Sequence, residues 1–537
     1  MRKRIAQITA CLCCILAKLF VLFPMTAATG AEPISDRGSH ITKQVDNEAL
    51  DPFGIHIVDE ATGQGVPMVE LELVNHALYI SDSAGWVAFN EPGLMNSRVF
   101  FTVRSHGYEY PKDGFGYAGK TLETVPGGSA TLKMKRINIA ERLFRLTGGG
   151  IYRDSVILGK PTPLREPLLN GQVFGQDSAV AAIHRGRAYW FWGDTTRPSY
   201  PLGHFGTAGA TVELPNGPSL DPADGINFKY FTDGKGFSRP MFSIKKSFPV
   251  MVWIDGLAVV PDAEGTGRLV THYSAMKSLD KRVEHGLATF NDSTSAFDPV
   301  AKFPLDEKWR FPHGHPIVIE DGESTWLLFN NPWPIVRAPA LLDALCDPNR
   351  YEAFTCLKPG AHYVNGKNQV DRDAEGNVVW GWKAGSDPVS QEKEKQMISA
   401  GFLHADEARF QLHDAMTGKE VVLHRGTVRW NILRKRWILI GHQRGGSSYL
   451  GEVWYAEADA PTGPWRRAVK IVTHDKYSFY NVVHHDFLDT EGGRFIHFEG
   501  TYTMSFSQAK RPTPWYDYNQ ILYRLDLNDP RLKPARE

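Results

Sequence analysis

The chain has 537 residues, more than one ordinary domain holds, and 42% of them are hydrophobic and 12% aromatic. Two or three packed domains are therefore expected, and wholesale disorder is excluded. Lys and Arg total 60, as do Asp and Glu, so no basic excess exists to neutralise phosphates, which excludes nucleic acid as the main partner.

The first predicted element is an export signal. Arg2, Lys3 and Arg4 precede an apolar run from about Ile8 to Met25, and Ala27, Ala28, Thr29, Gly30 and Ala31 offer a cleavage site. Cleavage after Ala31 makes residues 1–31 a signal peptide and sends the mature chain to the periplasm or the extracellular space, free of the membrane. The length of the run leaves an uncleaved anchor open. Cys11, Cys13 and Cys14 leave with the signal and lie too early in the run for lipidation. Residues 32–48 read as a polar spacer. Only Cys346 and Cys356 remain, either as a disulfide or as two thiols, and with no CxxC spacing they form neither a metal site nor a nucleophile.

From Phe53 the pattern becomes short alternating strands at 54–58, 68–73, 86–89, 99–103 and 129–134, separated by turn residues such as Thr62-Gly63 and Ser83-Ala84-Gly85. Five strands in about ninety residues predict a small β-sandwich over 49–137.

Residues 148–537 carry a different unit five times: an apolar strand opened by a polar residue, a short turn, and an aromatic-rich second strand. The pairs are 177–183 with 187–194, 255–260 with 268–273, 315–319 with 324–329, 426–431 with 436–440, and 484–488 with 494–499. Third strands follow at 208–212, 285–290, 452–456 and 521–525. Such repetition predicts a five-bladed β-propeller, with a large double-sheet sandwich as the alternative, and the fold class is all-β. The stretch from about 338 to 424 exceeds one blade and reads as an insertion with helical parts at 341–345 and 391–398.

In a propeller the first strand of each blade lines the axis, and its start opens on the same face as the link between the second and third strands. Polar residues distant in sequence then converge: Asp177, Asp194, Asp255, His313, His315, Arg425, Arg429, His442, Glu452, His484, His485 and Glu499. His484 and His485 are adjacent in a strand, so only one can face the channel. Trp192, Trp253, Trp333 and Tyr480 either stack on sugar faces or wedge blades together.

Two resemblances add to this reading. The run VDEATGQGVPMVELELVNHALYISDSAGWVAF resembles the prealbumin-like or carboxypeptidase-regulatory-like sandwich, which implies an accessory module. The motifs FGQDSAVAAIHRGRAYWFWGDT, WIDGLAVV, GEVWYAEADAPTGPW and YNVVHHDFLDTEGGRFIHFEGTYT resemble five-bladed propeller glycoside hydrolases, broadly families 43, 32, 62 and 117.

The second resemblance implies a general base or nucleophile at Asp177, a pKa-tuning carboxylate at Asp255, and a Glu as general acid. No Glu enters the third unit, which reads Pro312-His313-Gly314-His315-Pro316. Glu452 is the expected acid, Glu499 the reserve and His315 a further candidate. Asp194, Trp192, Trp253, His315, Arg429, His485, Glu499 and Tyr480 are the expected substrate contacts. The implied partner is a poly- or oligosaccharide, and the implied activity is glycosidic hydrolysis. A non-catalytic glycan-binding propeller and a polysaccharide lyase stand as alternatives. No cofactor is called for, although the resemblance implies that a structural Ca²⁺ could occupy the axis.

Overall fold

The computed structural model describes residues 51–536 apart from 215, 216, 218, 243 and 245. The expected signal and spacer lie outside the described residues. The fold is mostly strand.

The N-terminal part holds two four-stranded sheets. One contains Phe53–Asp59, Trp86–Phe89, Tyr108–Glu109 and Ser129–Arg136, and the other Glu70–Glu72, Leu78–Ile80, Arg98–Arg104 and Gly119–Glu123. Arg98–Arg104 alternates between exposed and buried at a period of two, as a strand with one wet face must. Its inward residues Val99, Phe101 and Val103 share a core with Ile55, Ile57, Leu71 and Phe89 of both sheets.

Five larger sheets follow in chain order. The first runs through Val180–His184, Arg187–Trp192, Ala208–Glu213 and Lys229–Tyr230, and the second through Met251–Pro261, Gly267–Ser278, Lys281–Asn291 and Ala296–Lys302. The third holds Ile317–Asp321, Ser324–Asn330, Pro334–Pro339, Glu352–Thr355 and Gly381–Ala384. The fourth holds Leu423–Asn431, Arg436–Gln443, Val453–Ala458, Arg467–Val472 and the short His413–Asp414. The fifth holds Ser478–His484, Phe495–Thr503 and Asn519–Asp526, and its fourth strand, Glu141–Arg145, comes from before the first sheet.

Each pair of neighbouring sheets shares one apolar core, and the pairs run in a cycle. Phe191 packs with Leu269 between the first and second sheets, and Val270 with Phe329 between the second and third. Trp333 joins Leu439 between the third and fourth, Tyr455 joins Phe498 between the fourth and fifth, and Trp190 joins Leu522 between the fifth and the first. A middle strand therefore has apolar neighbours on both faces. Val453–Ala458 is buried at all six positions, Glu457 included, and its apolar residues run on instead of alternating.

Two sequence expectations change. The expected first strand at 484–488 is in fact Ser478–His484, and Asp486–Leu488 forms a 3₁₀ turn, so His484 and His485 stand at the strand's end. The stretch 338–424 is also part sheet, since Glu352–Thr355 and Gly381–Ala384 extend the third sheet. Its helices, Leu342–Cys346 and Gln391–Ser399, fall where expected, the second capped by Ser390, whose side chain accepts from Lys393 N–H. Cys346 and Cys356 are free thiols. No helix among the described residues is long and apolar enough to cross a membrane.

The N-terminal sheets are joined to the ring by buried polar contacts. Arg142, 2% exposed, donates to Pro67 O at 2.8 and 3.1 Å, to His106 O at 3.1 Å and to Ser105 Oγ at 2.5 Å. Tyr516 Oη donates to Ser81 O at 2.8 Å. Replacing Arg142 by Met keeps the packing volume but strands two buried carbonyls, each worth about 1–3 kcal/mol. Arg142→Met is expected to lower unfolding free energy by about 2–4 kcal/mol. Urea denaturation checks this, and a loss under 0.5 kcal/mol would show that the junction is not held by these bonds.

Candidate active site

Asp177 precedes the innermost strand of the first sheet and is fixed from three directions. Its Oδ2 accepts from Tyr480 Oη of the fifth sheet at 2.8 Å, and its Oδ1 from the backbone N–H of Asp194 at 3.1 Å. Its own carbonyl accepts from Gly193 N–H at 2.7 Å. Ser178 and Asn481, the residues that follow Asp177 and Tyr480, both adopt positive φ, 57° and 52°, and Asn481 Nδ2 donates to Ser178 Oγ at 2.6 Å. Left-handed backbone costs a non-glycine residue about 1–3 kcal/mol, and strain of this kind concentrates at functional sites.

Asp194 follows the second strand of the first sheet. Its Oδ1 accepts from Trp253 Nε1 of the second sheet at 2.8 Å. Desolvation, then the charge of Asp177, pushes its carboxyl up to about 7. Desolvation also raises Asp177, against the opposing pull of its hydrogen bonds, that from Tyr480 foremost. The two acids titrate as a pair. Asp177 has the richer set of donors and ionises first, and its charge holds the proton on Asp194. Asp194 also lines a cleft of about 200 Å³ with Thr195, Thr196, Gly203, His204, Phe205 and Tyr518. Burial pushes His204 down to about 4, so it is neutral there.

Asp255 lies two residues beyond Trp253 on the same strand and shares its face. Its Oδ1 accepts from Gly256 N–H at 3.0 Å and from Gly314 N–H at 2.8 Å, which ties the second sheet to the third. Gly314 has φ 63°, and a Cβ there would stand 1.7 Å from Asn330 O, so only glycine brings this N–H to the carboxylate. Across the ring, Arg429 Nη1 donates to His315 O at 3.2 Å, and its Nε lies 3.9 Å from Asp486. Burial lowers His315 well below the usual imidazole range, with further lowering by Arg429, His485 and Arg425.

Several expected site residues are placed elsewhere. Glu452 is 1% exposed; its Oε1 takes the Ser447 N–H at 2.6 Å, and its Oε2 lies directly beneath Gly446. It braces the loop at 444–451, and no contact among the described residues joins it to Asp177, Asp194 or Asp255. Trp192 is 1% exposed and wedged against Phe228 and Tyr230 in the core, with no face for a sugar. Trp333, 4% exposed, packs on Phe410 and Trp465. Glu499 is wholly buried between the fifth and first sheets, bonded to Trp190 Nε1 at 2.8 Å and to His485 Nε2 at 2.6 Å. His484, 1% exposed, pairs with Asp489 at 2.9 Å. Both adjacent histidines are buried at the far end of the strand from Tyr480, and each is paired with a carboxylate.

Asp177, Asp194, Trp253 and Tyr480 thus form one set drawn from three sheets, with Asp255 beside it. Sequence reading passed over Ser178, Asn481, His204 and Tyr518, none of which carries a periodicity signal; the Gly-Asp turn at 193–194 was the one local cue. No group of three or more His, Cys, Asp or Glu side chains that could hold a metal occurs among the described residues. Ca²⁺ takes oxygen ligands. The charges around His315 are those of Arg429 and Arg425, so the residues there do not fit that ion.

No protein-family model matches the chain, and no curated protein matches it. Among solved structures it is similar to an exo-β-1,3-galactanase from Phanerochaete chrysosporium, bound to β-1,3-galactotriose, with 12% identity, 66% of this chain and 61% of that chain covered, and a TM-score of 0.34. An exo-1,5-α-L-arabinanase from a bovine ruminal metagenomic library gives 10% identity, 66% and 94% coverage, and a TM-score of 0.31. The GH43_1 enzyme from Xanthomonas citri, bound to xylotriose, gives 11%, 67% and 88%, and 0.31. Likeness at these TM-scores carries no weight for the activity of this chain.

Asp194 also has a consequence for stability. Its carboxyl is held near 7 in the fold against an ordinary value of 3.8. Between those pH values the native state keeps a proton that the unfolded chain has released, so stability falls as pH rises through that window. Asp194→Asn abolishes this dependence. The variant is expected to exceed the parent in stability at pH 8 by on the order of 2 kcal/mol, discounted for partial exposure, and to match it below pH 4. Thermal unfolding across pH tests this; equal differences at pH 4 and pH 8 would refute the assigned ionisation.

Proposed function

We propose that the chain is an exported glycoside hydrolase whose five large sheets are the blades of a β-propeller, preceded by a prealbumin-like sandwich. On this reading it cleaves a poly- or oligosaccharide at one end of the propeller axis by carboxylate acid–base chemistry. Export rests on the sequence of residues 1–31. The propeller reading is supported by the five cyclic cores and by the fifth sheet, which joins the first residues after the sandwich to the last strand of the chain.

The observation that carries the catalytic reading is the pair Asp177–Asp194. Glycosidic cleavage needs one carboxyl that keeps a proton near neutral pH and one that is charged beside it. Asp194, pushed up to about 7, is the acid: it gives its proton to the leaving oxygen as the bond to the anomeric carbon breaks. Asp177, charged first and oriented by Tyr480 Oη, is the base or nucleophile. Trp253 holds Asp194 in place from the second sheet. Phe205, 46% exposed in the cleft, offers an apolar ring for the face of a sugar.

The test is release of reducing ends from a broad glycan panel. Asp194→Asn and Asp177→Asn are each expected to lower kcat by about 10²–10⁴-fold. The parent's kcat should fall as pH rises through about 7, where Asp194 loses its proton. Unchanged turnover in Asp177→Asn would end the assignment. Products absorbing in the ultraviolet as unsaturated uronides would indicate a lyase, and retention of a glycan on a column without cleavage would indicate a binding module.

A further inference from the structure

A second group of polar side chains, on the third and fourth sheets, is led by a guanidinium with no acceptor among the described residues. Arg425 lies in the innermost strand of the fourth sheet, across the ladder from His442, and is half-buried. Among the described residues its guanidinium makes no hydrogen bond and no ion pair within 4 Å. A guanidinium cannot shed its charge at any working pH, so this one is an uncompensated cation open to solvent. His313 donates through Nδ1 to Phe311 O at 3.0 Å, which leaves Nε2 of the neutral ring as an acceptor, and the imidazole of His315 has no partner among the described residues. His442, fully buried, meets His424 Nδ1 at 3.1 Å through Nε2, while its Nδ1 is unpaired.

Burial first keeps these rings neutral: His315 lies well below the usual range, lowered further by Arg429, His485 and Arg425, His442 lies well below it beside His424 and Arg425, and His424 is at about 4 beside Arg425. Asp255 is the carboxylate that faces His313, where its Oδ1 is taken by two backbone N–H groups, and it does not pair with Arg425. Arg429 adds a second cation beside His315, and Asp486 stands 3.9 Å from it. A neutral sugar hydroxyl both donates and accepts, so it leaves a fixed cation unmatched. A carboxylate or sulfate oxygen only accepts, and a guanidinium binds it in a two-pronged fork.

We propose that the Arg425–His315 side of the axis is a subsite for an anionic oxyacid group on the substrate, a uronate carboxylate or a sulfate ester. The substrate class of the proposed hydrolase is then an acidic glycan. The identification of a glycan rests on the functional reading above, whereas the anion site does not.

The test uses the full chain carrying Asp194→Asn, so that binding is read without turnover. Calorimetry compares a glucuronate-terminated disaccharide, a galactose 6-sulfate disaccharide and their neutral counterparts. At least one charged ligand is expected to bind ~10-fold or more tightly than its neutral counterpart, as a charge-assisted pair implies, and Arg425→Gln erases that ratio. Preference for uronate or for sulfate tells the two sources apart. Equal affinity for charged and neutral sugars, no binding of the charged ones, or an unchanged ratio in Arg425→Gln overturns the proposal.

A second measurement needs no sugar. Inorganic sulfate should raise the melting temperature above chloride at equal ionic strength in the parent, and this excess should vanish in Arg425→Gln. Arg425→Lys, which keeps the charge without the fork, should retain part of it. Absence of the sulfate excess in the parent overturns the anion site, whereas its presence in a protein that cuts no glycan overturns the hydrolase reading alone.

Discussion

Everything in the large ring of sheets depends on one pairing: Glu141–Arg145 against Asn519–Asp526. Five antiparallel sheets laid side by side would leave an exposed apolar face at each end of the row. Cores between neighbours cover four of the five junctions, and the last is covered only if the fifth sheet meets the first. The strand from before the first sheet brings Leu146 and Phe144 to that junction, next to Trp190, Val483 and Leu522. Closure therefore ties residues almost four hundred positions apart, at a cost in loop entropy that grows only slowly with length.

Closure also decides what can happen at the axis. Residues at the ends of the innermost strands are bonded to residues of neighbouring sheets, and an all-apolar set there would leave nothing to recognise. The lining is polar because each polar group is held by a neighbouring sheet: Asp177 by Tyr480, Asp194 by Trp253, Asp255 by Gly314, and His315 O by Arg429. A site assembled this way is only as well placed as the ring is closed. The 515–518 segment extends the dependence to the N-terminal sheets, since Tyr516 is bonded to Ser81 there while Tyr518 lines the cleft beside Asp194.

Much of the fold was legible in the sequence because strand pairs with a short turn have a local signature. The second strands expected at 187–194, 268–273, 324–329 and 436–440 all overlap observed strands. The closing strand was not legible, because its partner lies at the other end of the chain. The fifth inner strand was misread because Val482, Val483 and Phe487 continue the apolar pattern past the point where the backbone turns. In the site, Asp177 and Asp194 were readable as polar residues beside a strand start and a strand end. That a loop covers the Glu452 carboxylate was not legible, because sequence position gives the end of the sheet alone. The burial of Trp192 against Phe228 and Tyr230, one of the two readings left open for it, was not legible because an aromatic residue in a strand gives no sign of the face it takes.

The axis divides by charge in a way that no single motif encodes. Carboxyls gather where the first sheet meets the second and fifth, and guanidinium groups gather between the third and fourth. Burial works on the two groups differently. A carboxyl removed from water can take up a proton, which is what makes Asp194 useful near neutral pH. A guanidinium cannot lose one, so its desolvation has to be offset by an acceptor, and Arg429 has His315 O and Asp486 for this. Arg425 has no such acceptor and is left within reach of solvent. Its place beside neutral imidazoles fits an acceptor that arrives with the ligand.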